Sequence, residues 1–277
     1  MALAGFVGAG QWSPVYMRQL IFGVPKSGKS TYCGTWPAPL MLHPVVESGY
    51  DTFRRPDGTN LFPHVKLGSE QHLWLAEPAG KEKHTRVSDE LRQWIRQLSI
   101  DLDKGTCPFQ TIVLGGFTML QSLVIAEGEK LKSGGNKYAT WDYVLKWSTE
   151  LLQTLCTLPI HVIFECGADN VTKDVNAITA ARPALSGKAY QNLLADVNVI
   201  LWQECIGGRY FTAVSTGKSQ VNGVRFSFLN TPQPVENCCY DWFAQRLGLP
   251  PIYVVDPNHP RVLYNGTPGW PWTHATF

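Results

Sequence analysis

The chain has 277 residues, with 24 Lys and Arg against 22 Asp and Glu and a formal net charge of +2. This length holds one large α/β domain with appendages rather than two full domains, and so balanced a charge means that nucleic-acid binding has to be argued from a local basic patch. The seven cysteines include no Cys-x-x-Cys pair, which suits free thiols in a reducing cytosol, and no apolar run approaches the ~18 residues of a membrane span, so a cytoplasmic protein without a membrane partner is expected.

Residues 1–14 read as a flexible N-terminal arm, because Gly5, Gly8 and Gly10 lack a dinucleotide-binding spacing and Pro14 follows them. Val15–Phe22 reads as a strand that runs into Gly23-Val24-Pro25-Lys26-Ser27-Gly28-Lys29-Ser30, a complete G-x-x-x-x-G-K-[ST] pattern. This is a P-loop. A strand stops abruptly, a helix starts, and converging backbone N–H groups cradle phosphate oxygens. Gly23 and Gly28 permit the tight turns, Lys29 reaches the β- and γ-phosphates, the Ser30 hydroxyl reaches a Mg²⁺ ion on those phosphates, and Thr31 is a further hydroxyl beside it. ATP with Mg²⁺ is therefore the expected cofactor of residues 23–31, with Ser30 as the metal ligand.

The helix opened by Lys29 should be short, since Gly34 and Pro37 close it, and Pro39–Val46 reads as a second strand leading to Glu47. After a loop-rich stretch to about Thr85, Ser88 is placed to cap a helix whose face is Leu91, Trp94, Ile95, Leu98 and Leu102. Thr111–Leu114 is a buried strand, and Phe117–Leu131 starts as a helix and gives way to a Lys- and Gly-rich segment through Lys137. A helix with the face Trp141, Val144, Leu145, Leu151, Leu152 and Leu155 ends at Pro159, and Ile160–Glu165 is again a buried strand. Cys166–Ser186 reads as a polar loop, followed by a short helix around Tyr190–Ala195. Val197–Trp202, the Gly207-Gly208 turn, Tyr210–Ser215 and Val224–Leu229 look like antiparallel strands that finish the sheet, before a helix at Tyr240–Leu247. The fold expected is α/β, a mostly parallel sheet with antiparallel C-terminal strands over 15–248, with residues 249–277 as a Pro/Trp-rich tail.

The P-loop sequence GVPKSGKST, the second strand leading to Glu47, the strand IHVIFE, the run Arg182-Pro183-Ala184-Leu185-Ser186-Gly187-Lys188 and Asp196 leading into VNVIL together resemble the phage RecA-like ATPases, a family of phage nucleotide-binding and Sak-type single-strand annealing proteins. The resemblance covers roughly residues 18–248. It implies a RecA-like P-loop core that binds ATP and Mg²⁺, a ring or filament of identical subunits, and action on single-stranded DNA during phage recombination in the host cytoplasm. It also implies that Glu47 polarises the attacking water, although a solvated loop carboxylate is the plainer reading of that residue alone.

The chain departs from that family at the end of the third strand, where members carry an Asp in the Mg²⁺ shell and this chain has Gly115 and Gly116. Glycine brings neither charge nor acceptor, so weak or absent hydrolysis is a live expectation. In RecA-type sheets the fourth strand lies beside the P-loop strand, which would bring Glu165 to the metal as a second catalytic carboxylate; a strand-end carboxylate paired with a Lys or Arg is the alternative. By the same resemblance the loops after the third and fourth strands would contact DNA. Lys130, Lys132 and Lys137 with Tyr138 form a basic segment with an aromatic for stacking, and Lys173 and Arg182 are weaker candidates. Either loop also reads as a solvated excursion. Lys218 and Arg225 stand where such proteins reach a neighbour's γ-phosphate. A nucleotide-binding assembly protein with little or no turnover is the competing function, and a small-molecule kinase is disfavoured because no Arg-rich lid segment is present.

Overall fold

A computed structural model describes residues 16–37, 39–42, 86–107, 109–131, 137–171, 180–214, 223–224, 229, 231 and 233–249. The N-terminal arm, Glu47, Lys132, Lys173, Lys218, Arg225 and residues 250–277 of the tail lie outside these, as does the side chain of Lys137.

The sheet is built on strand β1 (Arg18–Phe22), which enters helix α1 (Lys29–Gly34) through the P-loop. The parallel strands are β2 (Pro39–Leu42), β3 (Thr111–Leu114), β4 (His161–Cys166) and β7 (Val199–Ile206), and the crossovers carry α2 (Val87–Asp103), α3 (Phe117–Leu131), α4 (Lys137–Thr157) and α5 (Gly187–Asp196). β8 (Arg209–Ala213), β9 (Gly223–Val224) and β10 (Val235–Glu236) add antiparallel pairing, and α6 (Tyr240–Leu247) follows. The order across the sheet is β10-β8-β7-β1-β4-β3-β2, with β9 paired to the first residues of β7. β1 is thus central, and the register Phe22↔Cys166 and Phe22↔Trp202 brings three parallel strands to a common carboxyl edge where Gly23 begins.

Every residue of β1 is buried, because helices cover both faces of the sheet. Leu20 and Phe22 point into a core shared with α2, α3, α4 and α5, while Met17 and Ile21 point into one shared with α1 and α6 through Tyr32, Trp36 and Phe243. The period of two along the strand makes that division. At the opposite edge Arg18 closes the end of α4, its Nη2 donating to Leu158 O at 2.7 Å and to Cys156 O at 3.0 Å.

His161, at the start of β4, accepts the Met17 N–H at Nδ1 over 3.0 Å and stacks edge-on against Trp36 and Tyr240. Burial, with the Arg18 charge nearby, pushes its pKa down to about 4. The folded protein therefore holds it neutral while the unfolded chain protonates it below about 6.5. Its contribution to stability is whole above pH ~6.5 and is lost as the pH falls towards 4, up to about 3 kcal/mol in total. His161→Asn, whose side-chain oxygen can take over the Met17 N–H, should lack this share of the loss: urea unfolding at neutral and at mildly acidic pH should show a shallower decline in the variant than in the parent.

Four local expectations change. The strand expected over Val197–Trp202 among the antiparallel ones is β7, which pairs parallel with β1 and antiparallel only with β8 and β9. The segment expected as a polar loop contains a hairpin, β5 (Ala168–Val171) with β6 (Ala180–Pro183), in which Asp169 faces Arg182. Ser88 lies inside α2 rather than capping it; the Glu127 carboxylate from α3 accepts the N–H groups of Val87 and Ser88, leaving the Ser88 hydroxyl to bond Tyr143 at 2.7 Å. Helix α4 already opens at Lys137, four residues before the expected apolar face begins at Trp141, and Lys130 sits in the last turn of α3.

Candidate functional site

Gly28 adopts φ 88° immediately before α1, and Lys26 is also left-handed at φ 62°. The chain thus reverses and starts a helix whose first N–H groups have no side-chain cap. The closeness of the sheet makes both P-loop glycines obligatory. A Cβ on Gly23 would lie 2.2 Å from Gln203 O of β7, and one on Gly28 would lie 2.4 Å from the ring of Tyr210 on β8. Thr31 and Ser27 are buried and build the loop, whereas Val24, Pro25 and Lys26 are exposed on its rim.

Lys29 donates from Nζ to the carbonyls of Val24 at 2.9 Å and Gly23 at 3.1 Å, which holds the ammonium over the loop. Burial lowers its pKa, and the negative charge of Glu165 acts in the opposite sense. The Ser30 hydroxyl donates to Glu165 Oε1 at 3.0 Å. Glu165 is buried, and it reaches the loop because its residue pairs with Ile21 of β1 in the parallel ladder. The strand order thus brings together two residues picked out in the sequence, Ser30 and Glu165, and among the described residues it is Ser30 rather than a Lys or Arg side chain that bonds the carboxylate.

Gly115 follows β3 with its N–H donating to Leu42 O at 2.8 Å, and Gly116 turns with φ 62° into α3. Neither has a side chain to offer. Among the described residues no group of three or more His, Cys, Asp or Glu side chains is arranged to hold a metal by itself. The donors present, one hydroxyl and one carboxylate beside a phosphate cradle, fit a Mg²⁺ ion that takes most of its ligands from phosphate and water.

The elements after β3 and β4 are tied together at the same edge. Gly167, next after β4, donates its N–H to Thr118 Oγ1 at 3.0 Å, and Gln121 of α3 exchanges two hydrogen bonds with the backbone of Ser186, at 2.8 and 3.1 Å. Gly187 then opens α5 at φ 70° against the ring of Trp141. These hydrogen bonds and packing dock the Pro-Ala-Leu-Ser-Gly run on α3 and α4. Tyr138, in the first turn of α4, is 87% exposed, Lys130 is exposed, and Arg182 makes a loose, half-exposed pair with Asp169 at 3.9 Å.

Gln203, Tyr210, Thr118 and Gln121 are not legible in the sequence as site residues. The Gly207-Gly208 turn implies the hairpin pairing of Cys205 with Tyr210, but nothing in the sequence says that this hairpin leans on the P-loop. No helix among the described residues is long and apolar enough to cross a membrane.

No curated protein matches the chain. A family model described as an AAA domain matches residues 16–221, which spans the P-loop, the parallel strands, the β5–β6 hairpin and β8. With a nucleotide-binding loop at the carboxyl edge of a mostly parallel sheet and a family match over well more than half its length, the chain belongs to the AAA domain family of P-loop nucleotide-binding proteins.

Proposed function

We propose that this is an ATP- and Mg²⁺-binding, RecA-like phage protein that binds single-stranded DNA and promotes annealing or recombination as a ring or filament. The observation that carries the nucleotide half is the Ser30–Glu165 hydrogen bond at 3.0 Å. It joins the hydroxyl of the P-loop to a buried carboxylate, the pair of donors that a phosphate-bound Mg²⁺ takes from protein. When bound, the metal neutralises charge developing on the transferred phosphoryl group. Lys29 holds the phosphates, Ser30 and Glu165 hold and orient the metal's shell, and Glu47 remains the expected base for water. The DNA half is supported by Lys130, Tyr138 and Arg182, exposed on elements connected to the carboxyl edge of the sheet. Lys218 and Arg225 are proposed to act on a neighbouring subunit's nucleotide.

A second reading, a nucleotide-stabilised assembly protein without turnover, is favoured by one observation: the β3 end presents Gly115 and Gly116 and no carboxylate. ATPase activity measured with and without single-stranded DNA separates the two. Stimulation by DNA supports the first, and ATP binding without turnover in either condition supports the second.

Replacing Lys130, Lys132 and Lys137 together by Ala is expected to weaken binding to single strands of any sequence, and to lower the salt slope by roughly 0.7 for each phosphate that the variant leaves unneutralised. Fluorescence titration over a range of salt tests it, and an unchanged slope would place the DNA path elsewhere.

A further inference from the structure

The P-loop has two flanks. On one side of β1 lies β4 with Glu165, and on the other lies the β7–β8 hairpin. A nucleoside triphosphate whose γ end and metal face Ser30 and Glu165 must carry its ribose and base out on the opposite flank. That direction leads to the hairpin, where the Gln203 carbonyl abuts Gly23 and the nearest side chain to Gly28 is the ring of Tyr210, whose Cδ1 and Cε1 lie 2.4 and 2.6 Å from where a Gly28 Cβ would be.

Three further observations fix that ring. Tyr210 packs on the apolar core that also contains Tyr32 and Cys33 of α1, so it lies on the same face of the sheet as the helix the P-loop opens. Its backbone is clamped on both sides: it pairs with Cys205 of β7, and its carbonyl accepts the N–H of Asn237 at 2.9 Å. The residue is only partly buried, with a phenol pKa raised first by that partial burial. An aromatic ring held rigid at the rim of a phosphate cradle has one use that a Leu or Val there would not serve: a flat π-face for a flat base.

We propose that Tyr210 is the platform on which the base of the P-loop-bound nucleoside triphosphate stacks, making the β7–β8 hairpin the base-side wall of the site. This rests on the phosphate-binding reading above and adds the subsite that distinguishes a nucleotide from a bare polyphosphate. Stacking tolerates every base, so the platform selects for the presence of a base more than for its identity.

The test uses the full chain and two ligands in calorimetric titration, ATP and inorganic tripolyphosphate, which has the phosphates but no base. Tyr210→Leu keeps an apolar contact with Gly28 and the core but removes the π-face. It should weaken ATP binding by roughly 5- to 100-fold, the range of one base–aromatic stack, and leave tripolyphosphate affinity unchanged. Tyr210→Phe should match the parent for both. Hydroxyl-radical footprinting of the parent requires no variant: ATP should protect Tyr210 while tripolyphosphate should not, with the exposed Tyr138 as internal reference. Equal weakening of both ligands in Tyr210→Leu would mean that the ring merely props the loop, and an unchanged ATP affinity, or no protection by ATP, would overturn the proposal as well. A parent that binds neither ligand would remove the phosphate-site reading itself, which is a different failure from a parent that binds both equally well.

Discussion

Glu165→Gln should lower ATP turnover about a hundredfold, a barrier change of ~2.7 kcal/mol, while leaving ATP affinity within a few-fold of the parent. The substitution is nearly isosteric, and Gln can still accept the Ser30 hydroxyl that Glu165 now accepts at 3.0 Å, so what is removed is the negative charge and not the packing. With Mg²⁺ bound, the Glu165 carboxylate would supply a charged acceptor to the metal's water shell and Gln would not, whereas the N–H groups of the loop and Lys29 would hold the phosphates in both proteins. Steady-state turnover and a calorimetric titration, run on the same samples, check both halves of the expectation. Gly115→Asp provides the opposing experiment. Leu114 pairs with Phe164, so Gly115 stands next to Glu165 one step along the ladder. If the end of β3 is where a carboxylate is needed, Gly115→Asp raises turnover by about tenfold and Glu165→Gln changes nothing. Restoration of turnover by Gly115→Asp only in the Glu165→Gln background would show that either strand can serve.

Lys29→Ala should abolish measurable ATP binding under conditions where the parent saturates, with a loss of at least a hundredfold in affinity, about 2.7 kcal/mol. The side chain makes its hydrogen bonds to the carbonyls of Gly23 and Val24 and contributes to neither buried apolar core. Its removal deletes a cation aimed at phosphate and leaves the layers of the fold untouched, so urea unfolding should agree with the parent within roughly 0.5 kcal/mol. Equal affinities of the two proteins for ATP would end the P-loop reading. The loss should extend to tripolyphosphate, in contrast to substitutions at Tyr210.

The contrast between what is readable in the chain and what is not has a physical origin. β3 and α6 match their sequence-based bounds because each is a periodic apolar run closed by strong punctuation, and α1 ends where Gly34 and Pro37 require. The β5–β6 hairpin escapes a sequence reading because its strands are four residues each, rich in alanine and closed by Pro183, so strand pairing and not hydrophobic alternation defines the structure. Local chemistry favours Ser88 as the cap of α2, yet Glu127, 40 residues later in the chain than Val87, reaches the Val87 N–H first. At the site, the P-loop is legible as a contiguous motif. The meeting of Glu165 with Ser30 depends on strand order, which only the family resemblance anticipates, and the approach of Tyr210 to Gly28 depends on how a hairpin leans, which no local pattern encodes.

The ladder between β1 and β4 also decides how errors elsewhere in the molecule reach the phosphate cradle. A carboxylate on β3 would be separated from the P-loop strand by β4, and its position would inherit slack from two ladders and from the short edge strand β2. Glu165 is spaced by one parallel ladder whose five registered pairs, Arg18↔Val162 to Phe22↔Cys166, lie in the most deeply buried part of the sheet. Drift at the β2–β3 edge, whether from substitution or from thermal fraying, is therefore insulated from the Ser30–Glu165 contact. Glu47, which follows β2 and is the expected base for water, has no such shelter: drift at that edge would move the base while the Ser30–Glu165 pair stays in place.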